Sequence, residues 1–106
     1  MSEQIHHLLA RLRERLEETC GPHMLWLYLY GSFARGNEDA ESDVNVIIVL
    51  DRIDGYGTEV ARTSALVSTL SIDSGLSISR VFVSLQDWTD RDSHFLAKVR
   101  EEAIAA

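Results

Sequence analysis

The sequence predicts a single α+β domain spanning residues 1–106, in which helices cover a small β-sheet. Two observations support this fold class. Apolar residues recur at helical spacing in some segments and form short β-branched or aromatic runs in others, in the order α-β-α-β-α-β-α. Hydrophobic residues make up 45% and charged residues 25% of the 106-residue chain, as in ordinary globular proteins.

The first helix is predicted from about Glu3 to Cys20. Arg and Glu separate its apolar residues, and Gly21-Pro22 predicts its end, because glycine accepts the left-handed cap and proline bars continuation. The apolar stripe consists of Ile5, Leu8, Leu9, Leu12 and Leu16.

Two strands follow this helix. Met24–Tyr30 is apolar throughout and rich in aromatics, which is typical of a strand buried on both faces, so Trp26 and Tyr28 are expected in the core. Phe33–Gly36 is expected to form a short helical turn. After an acidic loop, Val44–Leu50 is rich in β-branched residues and predicts the second strand. The acids of the loop are Glu38, Asp39, Glu41 and Asp43.

The second half of the chain predicts helix, strand and helix. Asp51–Gly57 has the composition of a turn, and a helix with Thr58 as its N-cap runs to about Ser74. Ser77–Leu85 is the third strand, and Trp88 is expected to cover the sheet edge or join an interface. The last helix is expected to be capped by Asp90, Asp92 or Ser93. The apolar stripes of these two helices consist of Val60, Leu66, Val67 and Leu70, and of Phe95, Leu96, Val99 and Ala103.

Charge and cysteine content exclude several classes of protein. Ten basic and seventeen acidic residues give a net charge of −7, which argues against a free-standing nucleic-acid-binding protein but permits a small nucleotide that arrives with bound metal. Cys20 is the only cysteine, so an intrachain disulfide is impossible and a packing role is expected for it. The longest apolar runs are too short to span a membrane. A soluble, cytoplasmic protein is therefore expected.

The segment from Gly31 to Asn45 contains the candidate functional residues. Gly31-Ser32 directly follows a strand, and ten residues separate it from Asp43-Val44-Asn45 at the start of the next. Gly31 lets a phosphate approach the backbone, and Ser32 offers a hydroxyl where a short helix begins, so together they predict an anion site. Arg35 either adds positive charge to the phosphates or forms a surface ion pair with Glu38 or Asp39.

Asp43 and Asn45 project from the same face of their strand, because residues two apart on a strand point the same way. If the two strands are neighbours, both side chains lie beside the anion site. A pair of carboxylates at this place would hold Mg²⁺ against a nucleoside triphosphate.

These residues resemble the signature of the DNA polymerase β-like nucleotidyltransferases, Gly-Ser followed after about ten residues by Asp-x-Asp. Gly31-Ser32-Phe-Ala-Arg35-Gly36 and Ser42-Asp43 are most similar to the minimal nucleotidyltransferases of bacteria and archaea. The resemblance implies a mixed sheet with ATP or another nucleoside triphosphate and Mg²⁺ as ligands. It places Asp43 and Asn45 at the catalytic and metal-binding positions and Gly31, Ser32 and Arg35 at the nucleotide. Members often act as antitoxins paired with helical HEPN proteins, and some transfer AMP to the partner.

The chain departs from this pattern at two positions. Asn45 replaces the second aspartate, and a neutral amide cannot bridge two cations as a carboxylate does. The third strand lacks the carboxylate that active members place there, and Arg80 is expected to put a cation near that position. Glu38, Asp39 and Glu41 remain as acids that could swing in from the loop.

Three functions follow from these observations. The leading one is an antitoxin-like protein that binds a HEPN-like helical partner and has weak or lost nucleotide transfer. The second is an active Mg²⁺-dependent enzyme that moves AMP from ATP to a protein hydroxyl. The third is a homodimer with a purely structural role.

Overall fold

The computed structural model describes residues 2–90 and 93–106, and these ranges contain five α-helices and four β-strands. A 3-10 turn over Gly21–His23 joins the first helix to the first strand. In chain order the elements are α1 (Glu3–Cys20), β1 (Met24–Tyr30), α2 (Ser32–Arg35), β2 (Val44–Leu50), α3 (Tyr56–Ser74), β3 (Ile78–Ser84), α4 (Leu85–Thr89), α5 (His94–Glu102) and β4 (Ile104–Ala105).

The strands form one mixed sheet in the order β3-β2-β1-β4. β2 is antiparallel to β1 and parallel to β3, and the two-residue β4 is antiparallel to β1. The register places Tyr30 of β1 opposite Asn45 of β2, and Asn45 beside Ser79 of β3. The end of β1 and the start of β2 therefore lie at the same end of the sheet. The predicted fold class is confirmed, with the strands arranged as a mixed sheet covered by helices.

α1 and α3 cover one face of the sheet. The whole predicted stripe of α1 is buried, and its bounds agree with the prediction. Each leucine removed from water in this way contributes roughly 1.5–3 kcal/mol. This face contains the larger apolar cluster, whose strand members include Leu27, Leu29, Val44, Val46, Ile48 and Phe82.

α4 and α5 cover the opposite face with a smaller apolar cluster. Trp88 of α4 is buried there and stacks on Tyr28, with their ring centroids 5.1 Å apart. The Arg100 guanidinium lies 5.5 Å from the centre of the Trp88 ring. The other buried members are Ile47, Val49, Val83, Leu96 and Val99.

The prediction that β1 is buried on both faces is wrong. Trp26 is 42% exposed, and Tyr28 and Tyr30 are half-buried. The strand that is buried on both faces is β2, where every residue except Asn45 is buried. The difference arises because β2 lies between β1 and β3, whereas β1 has only the two-residue β4 on its outer side.

Several element ends differ from the prediction. α3 begins at Tyr56 after Gly55, so Thr58 is not its N-cap, and neither α4 nor β4 was predicted. Ser93 caps α5 by accepting a hydrogen bond from the Leu96 amide. Asp90 instead ends α4, and the third predicted cap, Asp92, lies outside the described residues. Phe95, predicted as part of the apolar stripe, is 50% exposed.

Membrane insertion was not expected for this chain. Among the described residues, none of the helices combines the length and the apolar character that crossing a bilayer requires.

Candidate functional site

The predicted anion site and the predicted metal-binding residues lie at the same end of the sheet. Gly31 directly follows β1, Ser32 is the first residue of α2, and Asp43 immediately precedes β2. Because Tyr30 pairs with Asn45 across the two strands, the turn after β1 is adjacent to the start of β2. Asp43 is exposed, whereas Ser32 and Asn45 are half-buried.

Gly31 has a conformation and surroundings that only glycine accepts easily. Its backbone has φ +81° and ψ −159°, a combination that L side chains rarely adopt. A Cβ added to Gly31 would lie 2.6 Å from Nδ2 of Asn45. The Asn45 side chain therefore packs directly on the Gly31 backbone, and any side chain at position 31 would displace it.

Glu102, the last residue of α5, reaches into this site. Its Oε1 accepts a hydrogen bond of 3.0 Å from the Gly31 amide, and its Oε2 accepts one of 2.9 Å from Nη1 of Arg35. The side chain of Glu102 is only 17% exposed. Arg35 therefore pairs with Glu102, and the predicted alternative of a surface ion pair with Glu38 or Asp39 is wrong. The reason is that α5 packs across the sheet face beside α2 and brings its end to the guanidinium.

These contacts also favour the ionised form of the Glu102 carboxyl. The hydrogen bond from Arg35 contributes most to lowering the pKa of the Glu102 carboxyl below its ordinary value of 4.5; burial opposes this effect, and the Gly31 amide adds to it. The carboxylate is thus ionised at neutral pH. Because the pKa is lowered in the folded protein, the stabilisation from this contact is present above the ordinary value and is lost as the pH falls through the lowered pKa.

The acidic groups at this end of the sheet are few. Ser79, a neutral residue, lies next to Asn45 in the parallel strand. The described part of the chain contains no cluster of three His, Cys, Asp or Glu side chains that could hold a metal. Asp43 supplies one carboxylate and Asn45 a neutral amide, and this donor set does not fit a pair of bridged cations.

The expectation that Arg80 places a cation near the site is wrong. Arg80 points to the opposite face of the sheet, where its Nε donates to Oγ1 of Thr63 and its Nη2 donates to the carbonyl of Val60, both at 2.9 Å. Side chains alternate along a strand, so Ser79 rather than Arg80 shares the face of Asn45. Thr63 is fully buried, and Arg80 accordingly ties β3 to α3.

The acidic loop is closed on itself at Asp39. The Asp39 carboxylate accepts a hydrogen bond of 2.9 Å from the Glu41 amide, and the Asp39 amide donates to Oγ of Ser42 at 3.0 Å. Glu38, Asp39 and Glu41 are all exposed. Asp39 thus stabilises the turn through these hydrogen bonds and is not directed toward Asp43.

A cavity of about 220 Å³ lies beside Gly31 and Arg35. The rings of Tyr30 and Phe95 meet edge to face along it, with centroids 6.0 Å apart. Lys98 adds a cation to its wall, and the remaining lining residues are Val99 and Glu102.

Sequence reasoning missed the contribution of α5 to this site. Glu102 lies 71 residues from Gly31, so no local motif connects them. One signal was present: Phe95, Lys98 and Glu102 have the spacing i, i+3, i+7, which places them on one face of a helix. By contrast, Cys20 is a buried packing residue as predicted, and burial raises the pKa of its thiol.

Neither a protein-family model nor a curated protein sequence matches the chain. Solved structures do share its fold. A toxin-antitoxin crystallised with AMP-PNP superposes with a TM-score of 0.63 at 18% identity, covering 91% of this chain and 69% of the other. A mutant of the MntA-HpeT toxin-antitoxin in which two aspartates, two positions apart, are changed to glutamate gives a TM-score of 0.59 at 17% identity, with coverages of 91% and 69%. A tyrosine-to-alanine mutant of the same toxin-antitoxin gives 0.59 at 17% identity, with coverages of 92% and 70%. The chain therefore shares the fold of these toxin-antitoxin proteins.

Proposed function

We propose that this protein is an antitoxin-like member of a two-protein system, that it acts mainly by binding a helical HEPN-type partner, and that its nucleotide transfer is weak or lost. One observation carries the proposal: the glycine, serine and arginine of the motif lie together after β1, whereas only one of the expected carboxylates is present. Gly31, Ser32 and Arg35 lie in the turn and the short helix that follow β1, whereas Asn45 and Ser79 are neutral.

The retained half of the site supports binding of a nucleotide. The Gly31 amide and the Arg35 guanidinium are donors that suit phosphate oxygens, and the half-buried Ser32 adds a hydroxyl. The adjacent cavity has two aromatic rings in its wall. One structural neighbour was crystallised with AMP-PNP, a triphosphate analogue. ATP is therefore the probe we choose for this site.

The altered half of the site supports loss of transfer. Asp43 and Asn45 have the same two-residue spacing as the pair of aspartates changed in one neighbour. A nucleotidyl transfer needs cationic neutralisation of the phosphates, and Mg²⁺ normally depends on one or two protein carboxylates together with the substrate phosphates. Asp43 alone supplies a single negative ligand, which weakens such binding strongly.

The partner proposal is tested by co-expression with the flanking genes, one of which the proposal requires to encode a helical HEPN-type protein. We expect the two proteins to co-purify in a fixed ratio, in the wild type and equally in the Ser32→Ala and Asp43→Ala variants, because binding of the partner does not need the side chains proposed to hold phosphate and metal. Light scattering during size-exclusion chromatography reports the composition. Isolation of the chain as a lone monomer or only as a homodimer contradicts the proposal.

The second candidate is an active enzyme that transfers AMP from ATP to a hydroxyl of the partner, and the preserved donors at Gly31 and Arg35 favour it. Mass spectrometry of the partner after incubation with Mg-ATP separates the two candidates. We expect an unchanged mass. An added adenylate that disappears in the Asp43→Ala variant would support the enzyme instead.

Replacing Asn45 by aspartate is expected to restore metal-dependent binding of ATP. The substitution keeps the size of the side chain and adds a second carboxylate beside Asp43, so Mg-ATP should bind at least about tenfold more tightly than to the wild type by calorimetry. Asn37→Asp is the matched control, because Asn37 is exposed in the loop after α2. Equal gains in the two variants, or a gain that does not require Mg²⁺, would contradict a site-specific effect.

A further inference from the structure

Glu102 occupies both donors that a nucleotide phosphate would use. We infer that Glu102 is an internal ligand of the anion site, which a nucleotide must displace before it can bind. The inference rests on the proposed nucleotide-binding role of Gly31 and Arg35. The motif, which ends at Asn45, assigns no role to this glutamate.

The geometry of the contact is that of a bound anion. Each oxygen of one carboxylate meets a different donor, the Gly31 amide at 3.0 Å and the Arg35 guanidinium at 2.9 Å. These donors come from the end of β1 and the end of α2, and a third element, α5, delivers the acid. Phosphate oxygens bind the same pair of groups through the same charge-assisted hydrogen bonds. An incoming phosphate and Glu102 therefore compete for them.

The neighbourhood allows the carboxylate to leave without unfolding the helix end. Lys98 lies one turn earlier on α5 and lines the same cavity, so its ammonium offers a second partner to a displaced Glu102. The backbone after Glu102 is anchored separately. β4 pairs with β1, and the Ala106 amide donates to the Leu27 carbonyl at 3.0 Å. A rotation of the Glu102 side chain would therefore free the donors while β4 stays paired with β1.

Glu102 does not substitute for the missing metal ligands. Both of its oxygens already accept hydrogen bonds, and the guanidinium of Arg35 lies against one of them. A divalent cation at the same place would meet a positive charge. The contact thus blocks the anion site instead of completing a metal site.

The test is calorimetric titration with ATP in the presence of EDTA, so that no divalent metal contributes. We expect Glu102→Ala to bind ATP about tenfold or more tightly than the wild type. In this variant the Gly31 amide and the Arg35 guanidinium are free of Glu102, so ATP does not have to displace an internal ligand. Glu102→Gln should show a smaller gain, since its amide oxygen still accepts from Gly31 while its charge on Arg35 is gone. Glu101→Ala removes an exposed neighbouring acid and should change nothing.

Further variants separate competition from a general charge or folding effect. Adding Arg35→Ala to Glu102→Ala should abolish the gain, and thermal unfolding followed by circular dichroism confirms that each variant is folded. If Glu102→Ala loses stability, Glu102→Gln supplies the comparison. An affinity within twofold of the wild type in both Glu102 variants, or an equal gain in Glu101→Ala, overturns the inference.

A failure of this inference can be distinguished from a failure of the proposed function. Co-purification of the wild-type chain with its partner reports on that function and does not depend on ATP. A gain in Glu102→Ala without capture of a partner leaves the inference standing and contradicts the function. Capture of the partner without any gain overturns the inference alone.

Discussion

Replacing Trp88 by alanine is expected to lower the free energy of unfolding by about 3–5 kcal/mol, as is typical of a large buried aromatic side chain. Trp88 is 9% exposed and fills the space between α5 and the sheet. Its removal takes away the stacking on Tyr28 and the contact with the Arg100 guanidinium. The backbone carbonyl of Trp88 accepts a hydrogen bond from Arg100, and alanine keeps this carbonyl, so the expected loss reports the side-chain packing alone.

Trp26→Ala is the matched control, because it removes the same side chain from a position that is 42% exposed. We expect a loss of about 1 kcal/mol or less for this variant. Urea unfolding followed by far-ultraviolet circular dichroism measures both changes without relying on tryptophan fluorescence. Similar losses in the two variants would show that α4 and α5 do not form the second core described above.

These two tryptophans show where sequence reasoning reaches its limit. The composition of Met24–Tyr30 predicts a strand correctly, but composition cannot show how far the helices on each face extend over it. α4 has five residues and β4 has two, so neither is long enough to display a period. Trp26 is exposed because the neighbouring β4 is short, and Trp88 is buried because α4 places it against the sheet. Neither short element produces a periodic pattern in the sequence. α1, with its repeated stripe, was predicted to its ends.

The candidate site likewise has one part that the sequence predicts and another that only the tertiary structure reveals. Gly31, Ser32, Asp43 and Asn45 are joined by two strands that pair directly, so a local motif is enough to predict their proximity. The partner of Arg35 comes from a helix near the other end of the sequence, and only the tertiary packing of α5 reveals it. Arg80 was misplaced because the phase of β3 relative to β2 is set by their register, which the sequence of β3 does not contain.

Gly31→Ala is expected to lower the free energy of unfolding by about 2–3 kcal/mol, since a side chain is strained at φ +81° and ψ −159° and the Asn45 amide must also move aside. Gly36→Ala is the matched control. Gly36 also has a positive φ, +76°, but a Cβ there meets nothing within 4 Å, so a loss of about 1 kcal/mol is expected.

The double variant Gly31→Ala/Asn45→Ala separates the two causes. Removing the Asn45 side chain relieves the close contact at 2.6 Å but leaves the backbone strain, so the double variant should be less destabilised than the sum of the single changes. Strict additivity in urea unfolding would mean that the contact between Gly31 and Asn45 contributes nothing. The fold thus requires Gly31 whether or not a phosphate binds, and loss of nucleotide binding in Gly31→Ala would not by itself establish a phosphate contact. The variants at Arg35 and Glu102 alter the same site without this backbone strain and are therefore the sharper test of the ligand.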